Sequence, residues 1–306
     1  MRRFKRIIQI VLAILVVLGA IAAWLFGYDE PRVRAVKADN GCPGCDLRDA
    51  SMWWTVLIES NFQGADLSGA TMWWTEMQRA NLQQTKFVGA NLWWTDLREA
   101  QLAGADLTGA EMGRADLRGA KGAGALLKSA SLTGTNLSGS HFPGASLWRA
   151  NLLQAIVQEI DLSGAELTEA NFHSVNLRGS NFAGATLIRT SLTKTNMIGV
   201  NLSNANLMGA NLSEAKLQGA DMRGANFRRA DLPTADMTDA DLTGANFEGA
   251  NLTWSTMVNA NLTGVNFAKA NLGSADLSGA IMTGTILDGA RLCKTKLPTG
   301  LDNSGC

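Results

Sequence analysis

The chain has 306 residues, and its 27 Lys and Arg residues balance its 27 Asp and Glu residues, so the formal net charge is zero. From Cys45 onward it carries 20 basic and 24 acidic residues. This excess of negative charge is too small for a mimic of a polyanion and has the wrong sign for a protein that binds nucleic acid. The charge balance therefore argues against nucleic acid as a partner.

The first 26 residues have the pattern of a membrane anchor. A run of apolar residues from Ile7 to Phe26 contains a single polar residue, Gln9, and about 20 apolar residues in a helix span a bilayer. The run follows four basic residues: Arg2, Arg3, Lys5 and Arg6. Basic residues stay in the cytoplasm, so residues 1–26 are predicted to form a cytoplasmic tip and a transmembrane signal anchor. A signal peptide cleaved near Ala20-Ile21-Ala22 is the alternative.

This topology predicts a protein of a bacterial inner membrane or a thylakoid membrane, with its amino terminus in the cytoplasm. The rest of the chain then lies in the periplasm or lumen. Residues 27–44 are predicted to be a linker that ends in a C-x-x-C motif. The chain has four cysteines, which are Cys42, Cys45, Cys293 and Cys306. Each pair is expected to form a structural disulfide in an oxidising compartment; a redox site or part of a metal site is the alternative for C-x-x-C.

A repeat with a period of five residues dominates the remainder of the chain. From Leu47 to Leu297, every fifth residue except Gly122 is Leu, Phe, Met or Val. A small residue stands two positions earlier, and Asn or Asp is the commonest residue directly before the large one. Residues two apart on an extended segment share a face. The pattern therefore predicts short extended segments with the large and the small residue pointing inward, and with Asn, Asp and Gly at the turns.

These residues resemble the pentapeptide-repeat family, whose pattern A-(D/N)-L-x-x is matched by Ala65-Asp66-Leu67-Ser68-Gly69 and Ala245-Asn246-Phe247-Glu248-Gly249. The resemblance implies an all-β fold, a right-handed quadrilateral β-helix of about 13 coils with four pentapeptides per coil. It covers residues 45–297 and leaves 298–306 as a carboxyl-terminal tail or cap. Phe227, Phe247 and Phe267 are twenty residues apart and are expected to stack. Gly122 is expected to cause a bend, a bulge or a cavity.

Three Trp pairs follow one another at the spacing of one coil: Trp53 and Trp54, Trp73 and Trp74, Trp93 and Trp94. They come directly after inward residues, so they are expected to point outward from three successive coils as two parallel ladders. Six exposed indoles form a larger apolar patch than monomeric proteins usually leave open. These residues are therefore the candidate partner-binding site; stacking that only stabilises the first coils is the alternative.

The leading functional hypothesis is a non-catalytic, membrane-anchored scaffold that binds a protein partner, a membrane complex in particular, through the Trp residues. The alternative is a solenoid that binds a polysaccharide or a lipid surface. A DNA mimic that binds topoisomerases is a third, less favoured hypothesis, because the chain is not strongly acidic. His141 and His173 fall on different sides of the coil, and the sequence predicts no catalytic residues, no cofactor and no metal site.

Overall fold

The computed structural model describes residues 31–306. Helix α1 spans Pro31–Asp39, and a long β-helix follows from Gly41. Strands β1 (Thr295–Leu297) and β2 (Gly300–Asp302) form a short antiparallel hairpin at the other end. The predicted anchor at residues 7–26 lies outside the described residues.

Parallel β-bridges between residues twenty apart build the β-helix, from Gly41 paired with Asn61 to Asp276 paired with Lys296. Each coil therefore closes after twenty residues and has four short sides, one for each pentapeptide. Strands stack at roughly 4.8 Å, so about 13 coils give a rod roughly 60 Å long. The predicted period and number of coils are confirmed by this register.

The inward and outward positions follow the predicted alternation. The large residue of each repeat and the small residue two positions before it are buried along almost the whole rod. In the first Trp-containing repeat, the amide of Met52 donates to the Thr71 carbonyl at 2.8 Å, and the amide of Thr71 donates to the Ala50 carbonyl at 2.9 Å. Each coil thus contributes both donors and acceptors to the next coil, which satisfies the buried backbone.

The Asn and Asp residues of the repeat cap the turn that follows them. The Oδ1 of Asn61 accepts a hydrogen bond from the backbone amide of Gln63 at 3.1 Å, and Asp276 does the same for Ser278 at 3.0 Å. Such Asx turns are the reason that Asn and Asp are favoured at these sites. The dominance of Asn and Asp before the large residue therefore has a local cause and needs no catalytic explanation.

Helix α1 lies within the segment predicted as a linker, residues 27–44. Val33 and Val36 lie one turn apart on the same side of α1 and are almost completely buried against the first coil. The short helix thus covers the apolar end of the β-helix core. The sequence analysis did not predict this helix, because only two apolar side chains carry the contact, too few for a visible helical period in the sequence.

The predicted localisation also requires correction. No helix among residues 31–306 is long and apolar enough to cross a bilayer, and α1 has nine residues where about 20 are needed. This finding contradicts the placement in a bacterial inner membrane or thylakoid membrane, and we do not retain it.

The inner column shows how the sequence fills the axis of the rod. The rings of Phe227 and Phe247 stack with centroids 4.6 Å apart, and those of Phe247 and Phe267 stack at 5.4 Å, as predicted.

At Gly122 the backbone ladder continues, since its amide donates to the His141 carbonyl at 2.8 Å. The ring of Phe142 from the next coil occupies the space that a side chain at 122 would take.

A small apolar cavity follows on the other side of Phe142. It is lined by seven side chains: Leu127, Leu132, Leu137, Phe142, Leu147, Ile160 and Leu162. Ile160 stands at a position that is usually Ala, and its larger side chain lines this cavity. A bend, a bulge or a cavity was expected at Gly122. The structure shows a cavity nearby and no bulge in the backbone hydrogen-bond ladder.

Asp276 gives the carboxyl-terminal coils a defined acid sensitivity. Its carboxylate accepts from the Ser278 hydroxyl at 2.6 Å and from Lys296 Nζ at 2.9 Å, and these bonds lower its pKa from 3.8 to about 2. Because the pKa of this carboxyl group is lower in the folded chain than in the unfolded chain, its charged form stabilises the fold at pH values above the unfolded pKa. This contribution is lost as the pH falls from about 4 to 2. We expect the melting temperature of Asp276→Asn, measured by circular dichroism, to fall less over that pH interval than the melting temperature of the unaltered chain.

Asn keeps an Oδ1 for the Ser278 amide, so the variant should fold normally at neutral pH. Asp288→Asn removes a carboxylate from the same end of the rod and serves as the control for net charge. An acid-induced loss of stability in Asp276→Asn as large as in the unaltered chain would contradict this assignment.

Candidate functional site

The six tryptophans lie on the outside of the first three coils, at one corner of the rod. We call them the Trp surface: Trp53, Trp54, Trp73, Trp74, Trp93 and Trp94. Each pair follows a buried residue, Met52, Met72 or Leu92. The chain turns directly after that residue, which places the two indoles on the outer surface at the turn.

One column of the Trp surface is a continuous aromatic stack. The rings of Trp54 and Trp74 have centroids 5.3 Å apart and an interplanar angle of 12°, and those of Trp74 and Trp94 are 4.8 Å apart at 4°. These distances match the rise of about 4.8 Å between coils, so the backbone sets the spacing of the stack. Trp54, Trp74 and Trp94 still expose 51%, 39% and 38% of their surface, chiefly because neighbouring rings cover faces and leave edges free.

The stacked indoles occupy an unfavourable backbone conformation. Trp54, Trp74 and Trp94 have φ angles of 56°, 58° and 60°, in the left-handed region that favours glycine. Glycine occupies the same turn position in many other repeats, for example Gly64 and Gly69. A non-glycine residue there costs roughly 1–2 kcal/mol, and an aromatic pair returns about 0.5–1.5 kcal/mol. Stability of the rod alone therefore gives little reason for three Trp residues at this corner.

The other column does not form the second ladder that the sequence predicted. The described residues show stacked rings only for Trp54, Trp74 and Trp94 among the six indoles. The ring of Trp93 instead lies across Gly113, where an added Cβ would stand 2.8 Å from Cε2 and Cζ2. Trp53 and Trp73 are half-buried, and the Nε1 of Trp73 is buried without a partner. The missing side chain at Gly113 provides the space that lets Trp93 lie flat.

Three further residues bound the Trp surface. The guanidinium of Arg114 lies over the Trp94 ring, 4.8 Å from its centroid, and so closes the stack with a cation–π contact. Val56 is exposed and Ile58 is half-buried, which extends the apolar surface around the corner of the first coil. Arg114 could have been found from the sequence because it stands twenty residues after Trp94, and Val56 because it replaces the usual Asn or Asp.

Ion pairs border this apolar surface on the adjoining side of the rod. Arg79 pairs with Glu59 at 2.8 Å, and Arg98 pairs with Asp96 at 2.6 Å. Burial raises the pKa of Asp96, but the hydrogen bonds from Arg98 outweigh it, so the pKa is lowered overall and the carboxylate stays charged. An apolar centre with a charged rim is the usual arrangement of a protein–protein interface.

Disulfides join Cys42 to Cys45 and Cys293 to Cys306. The C-x-x-C spacing follows from the repeat itself, because Cys42 takes a large inward position and Cys45 takes the small inward position of the next repeat. Both pack against the core. The helix before them ends at Asp39 and turns its carboxyl end toward the motif, an end that does not stabilise a thiolate. This environment is that of a structural bond.

The remaining candidates for chemistry are not brought together. His141 is exposed and His173 is half-buried, and they belong to different sides of the coil. Within the part of the chain that the structure describes, no group of three or more His, Cys, Asp or Glu side chains could hold a metal ion.

A solenoid of four-sided coils with an exposed aromatic stack at one corner is the class of protein that these observations define. The model of the pentapeptide repeats matches overlapping segments from residue 45 to residue 297. The chain belongs to the pentapeptide-repeat family, and its β-helix is right-handed and quadrilateral.

Three solved structures illustrate the similarity. HetL, a pentapeptide repeat protein involved in heterocyst differentiation regulation in Nostoc sp. strain PCC 7120, is 26% identical over 92% of this chain and 96% of its own, with a TM-score of 0.26. The plasmid-mediated fluoroquinolone resistance protein QnrB1 is 17% identical over 62% and 88%, with a TM-score of 0.30. A protein of the Arabidopsis thaliana thylakoid lumen is 34% identical over 38% and 66%, with a TM-score of 0.19. No curated protein matches the chain.

Proposed function

We propose that this protein is a non-catalytic scaffold that binds a protein partner through the Trp surface. The observation that carries the proposal is the column of Trp54, Trp74 and Trp94, three large indoles held at left-handed turns and exposed to solvent. Trp is the residue type most enriched at the energetic centres of protein interfaces. Because the stack is fixed by the spacing of the coils, binding costs little additional side-chain entropy.

The stacking geometry favours a protein over a polysaccharide as the partner. Sugars bind aromatic side chains by lying on an open ring face. In the stack, each face of Trp74 is covered by a neighbouring indole and one face of Trp94 is covered by Arg114. The edges of the stacked rings remain, and these edges meet partner side chains and carbonyl groups in edge-to-face contacts. The stacked column therefore favours a protein, and the flat ring of Trp93 is the part of the surface that a sugar would use.

The charge distribution gives little support to a DNA mimic. Such a mimic needs an extended surface of unpaired negative charge, whereas basic residues here lie among the acidic ones along the rod and several form ion pairs with them. Glu169, for example, lies between Arg149 at 2.6 Å and Arg189 at 2.8 Å. The paired charges resemble a solvated protein surface and leave the Trp surface as the distinctive feature.

Replacing Trp54, Trp74 and Trp94 together with glycine tests the proposal. Glycine is the common residue at this turn and relieves the left-handed strain, so the melting temperature should change by only a few degrees. Loss of three central indoles, at roughly 2 kcal/mol each, should weaken partner binding by up to about 10⁴-fold. The measurement is crosslinking of the full chain in native extracts followed by mass spectrometry, with affinity then measured for the purified partner.

Trp254→Gly is the matched control, since Trp254 occupies the same column and is also exposed with a positive φ but lies eight coils beyond Trp94. It should bind the partner as the unaltered chain does. Equal binding by the triple variant and the unaltered chain would refute the proposed surface, and selective binding of an oligosaccharide that the triple variant loses would favour the polysaccharide alternative.

A further inference from the structure

The excess of negative charge in the β-helix is confined to the coils that carry the Trp surface. Residues 45–119 contain ten acidic and six basic residues, whereas residues 120–306 contain 14 of each. The rod is therefore negative at the end with the exposed indoles and neutral over the rest of its length. The charge that complements this end in a partner is positive.

Two exposed glutamates stand on either side of the Trp surface. Glu76 lies two residues after Trp74, on the side of the coil that follows the turn. Glu111 lies two residues before Gly113, which the ring of Trp93 lies across, and so on the side of the coil that precedes the turn. The Trp surface is thus bordered by one negative charge on each of the two sides that meet at its corner.

The carboxylates of Glu76 and Glu111 have no partner within the fold. They occupy the position of the repeat at which Asn or Asp caps the turn, and Glu166 at the same position still accepts a hydrogen bond from the amide of Thr168 at 2.9 Å. Among residues 31–306, neither carboxylate accepts a hydrogen bond or forms an ion pair. The repeat gives up two caps here without gaining a contact, and a partner outside the chain accounts for both changes.

The arginines beside the Trp surface, by contrast, are engaged. Three of them form ion pairs with carboxylates on their own side of the rod. The pairs are Arg79–Glu59, Arg98–Asp96 and Arg118–Asp116. The fourth, Arg114, lies over the Trp94 ring. These cations therefore leave Glu76 and Glu111 as uncompensated charges next to the indoles.

Trp93 supplies an open aromatic face between these two charges. One face of its ring lies on Gly113, and no ring or guanidinium among residues 31–306 is stacked on the other. The chain itself shows that its outward indoles accept a cation, because the guanidinium of Arg149 lies 4.3 Å from the centroid of the Trp148 ring. Trp is the aromatic side chain that binds cations best, so the outward face of Trp93 is suited to a Lys or Arg side chain.

We propose that the Trp surface binds a basic segment of its protein partner, in which a Lys or Arg side chain lies on the outward face of Trp93 and others pair with Glu76 and Glu111. This inference rests on the proposed function and adds the chemistry of the partner. The long stems of Lys and Arg are apolar, so they contact the edges of the stacked indoles while their charged ends reach the carboxylates.

Short synthetic peptides test this chemistry without knowledge of the partner. Peptides that combine Leu with Lys and Arg, with Glu and Asp, or with Ser and Gln are arrayed and probed with the full chain, purified in a mild non-ionic detergent because residues 7–26 are apolar in sequence. The affinity of each bound peptide is then measured in solution by Trp fluorescence. We expect the chain to bind the basic peptides and neither of the other two sets.

Two variants locate the binding. Glu76→Gln with Glu111→Gln should weaken the binding of basic peptides about 5- to 10-fold at low salt, because each exposed ion pair contributes modestly. Trp93→Leu should weaken it by a similar factor, because the cation–π contact is lost. Added salt should reduce the difference between the double variant and the unaltered chain, since it screens exposed charges.

Glu159→Gln with Asp288→Asn is the matched control, because it removes two exposed carboxylates that form no ion pair and lie in coils beyond the Trp surface; it should bind basic peptides as the unaltered chain does. Equal affinities of the control and of the double variant at Glu76 and Glu111 would overturn the inference. Neutral or acidic peptides that bind the chain but not its triple Trp-to-Gly variant would overturn it as well and leave the proposed function intact. If neither peptides nor a crosslinked partner bind in a way that depends on the Trp residues, the proposed function fails and this inference fails with it.

Discussion

Replacing Gly122 with leucine is expected to destabilise the rod by about 2–3 kcal/mol, although leucine is the commonest residue of the inner column. The reason is that the ring of Phe142 already fills the space beside Gly122, so an added side chain overpacks the core. Adding Phe142→Leu to the same chain returns both coils to the usual pattern and should restore most of the lost stability. The free energy of unfolding in denaturant measures each variant.

The single variant Phe142→Leu completes this test. It should also be destabilising, because it enlarges the apolar cavity next to Ile160 at a cost that grows with the volume left empty. The double variant should therefore be more stable than either single one, with a coupling energy of at least about 1 kcal/mol. A neutral Gly122→Leu, or additive effects of the two substitutions, would show that the two positions do not share this space.

Phe247→Ala is expected to have the largest effect on stability of any single substitution in the inner column, about 3–5 kcal/mol. Its ring is fully buried and stacks on both sides, 4.6 Å from Phe227 and 5.4 Å from Phe267. Truncation therefore removes two ring contacts and leaves a cavity between two rigid neighbours that cannot collapse into it. Thermal and denaturant unfolding followed by circular dichroism give the change.

Phe247→Leu provides the control for this prediction, since Leu occupies the same column in earlier coils, for example Leu187 and Leu207. It should cost less than about 1.5 kcal/mol. Because each coil contacts only its neighbours, Phe247→Ala should in addition make the coils beyond it unfold before the rest. A small effect of the Ala variant, comparable to that of Leu, would mean that the ring stack contributes little.

The coil and its core were predictable from the sequence because one physical requirement repeats without a break. A narrow axis accepts one large and one small side chain per pentapeptide, so the inward residues follow from the spacing. The four-sided coil, and with it the stack of Phe227, Phe247 and Phe267, was implied by the resemblance to the pentapeptide-repeat family. The outward position of the Trp surface follows from the same alternation. Its role in binding a partner stays a prediction.

The second Trp ladder was predicted wrongly and helix α1 was not predicted, because both depend on contacts between structural elements rather than on the repeat pattern within one coil. The pairs Trp53–Trp54, Trp73–Trp74 and Trp93–Trp94 look alike in sequence, yet only one column stacks, because Gly113 in the next coil gives Trp93 room to lie flat. Helix α1 was missed because its burial rests on Val33 and Val36. The predicted membrane localisation rested on residues 7–26, which lie outside the described residues.

The constant register of the hydrogen-bond ladder has a consequence for how the protein folds. The amide of Met52 pairs with residue 71, and that of Leu252 pairs with residue 271, so the loop that must close to add a coil is the same at every level. The mean separation of contacting residues therefore does not grow when coils are added, whereas in most β-proteins it rises with the distance between strands. Lengthening the rod by whole coils should leave its rate of folding per coil unchanged.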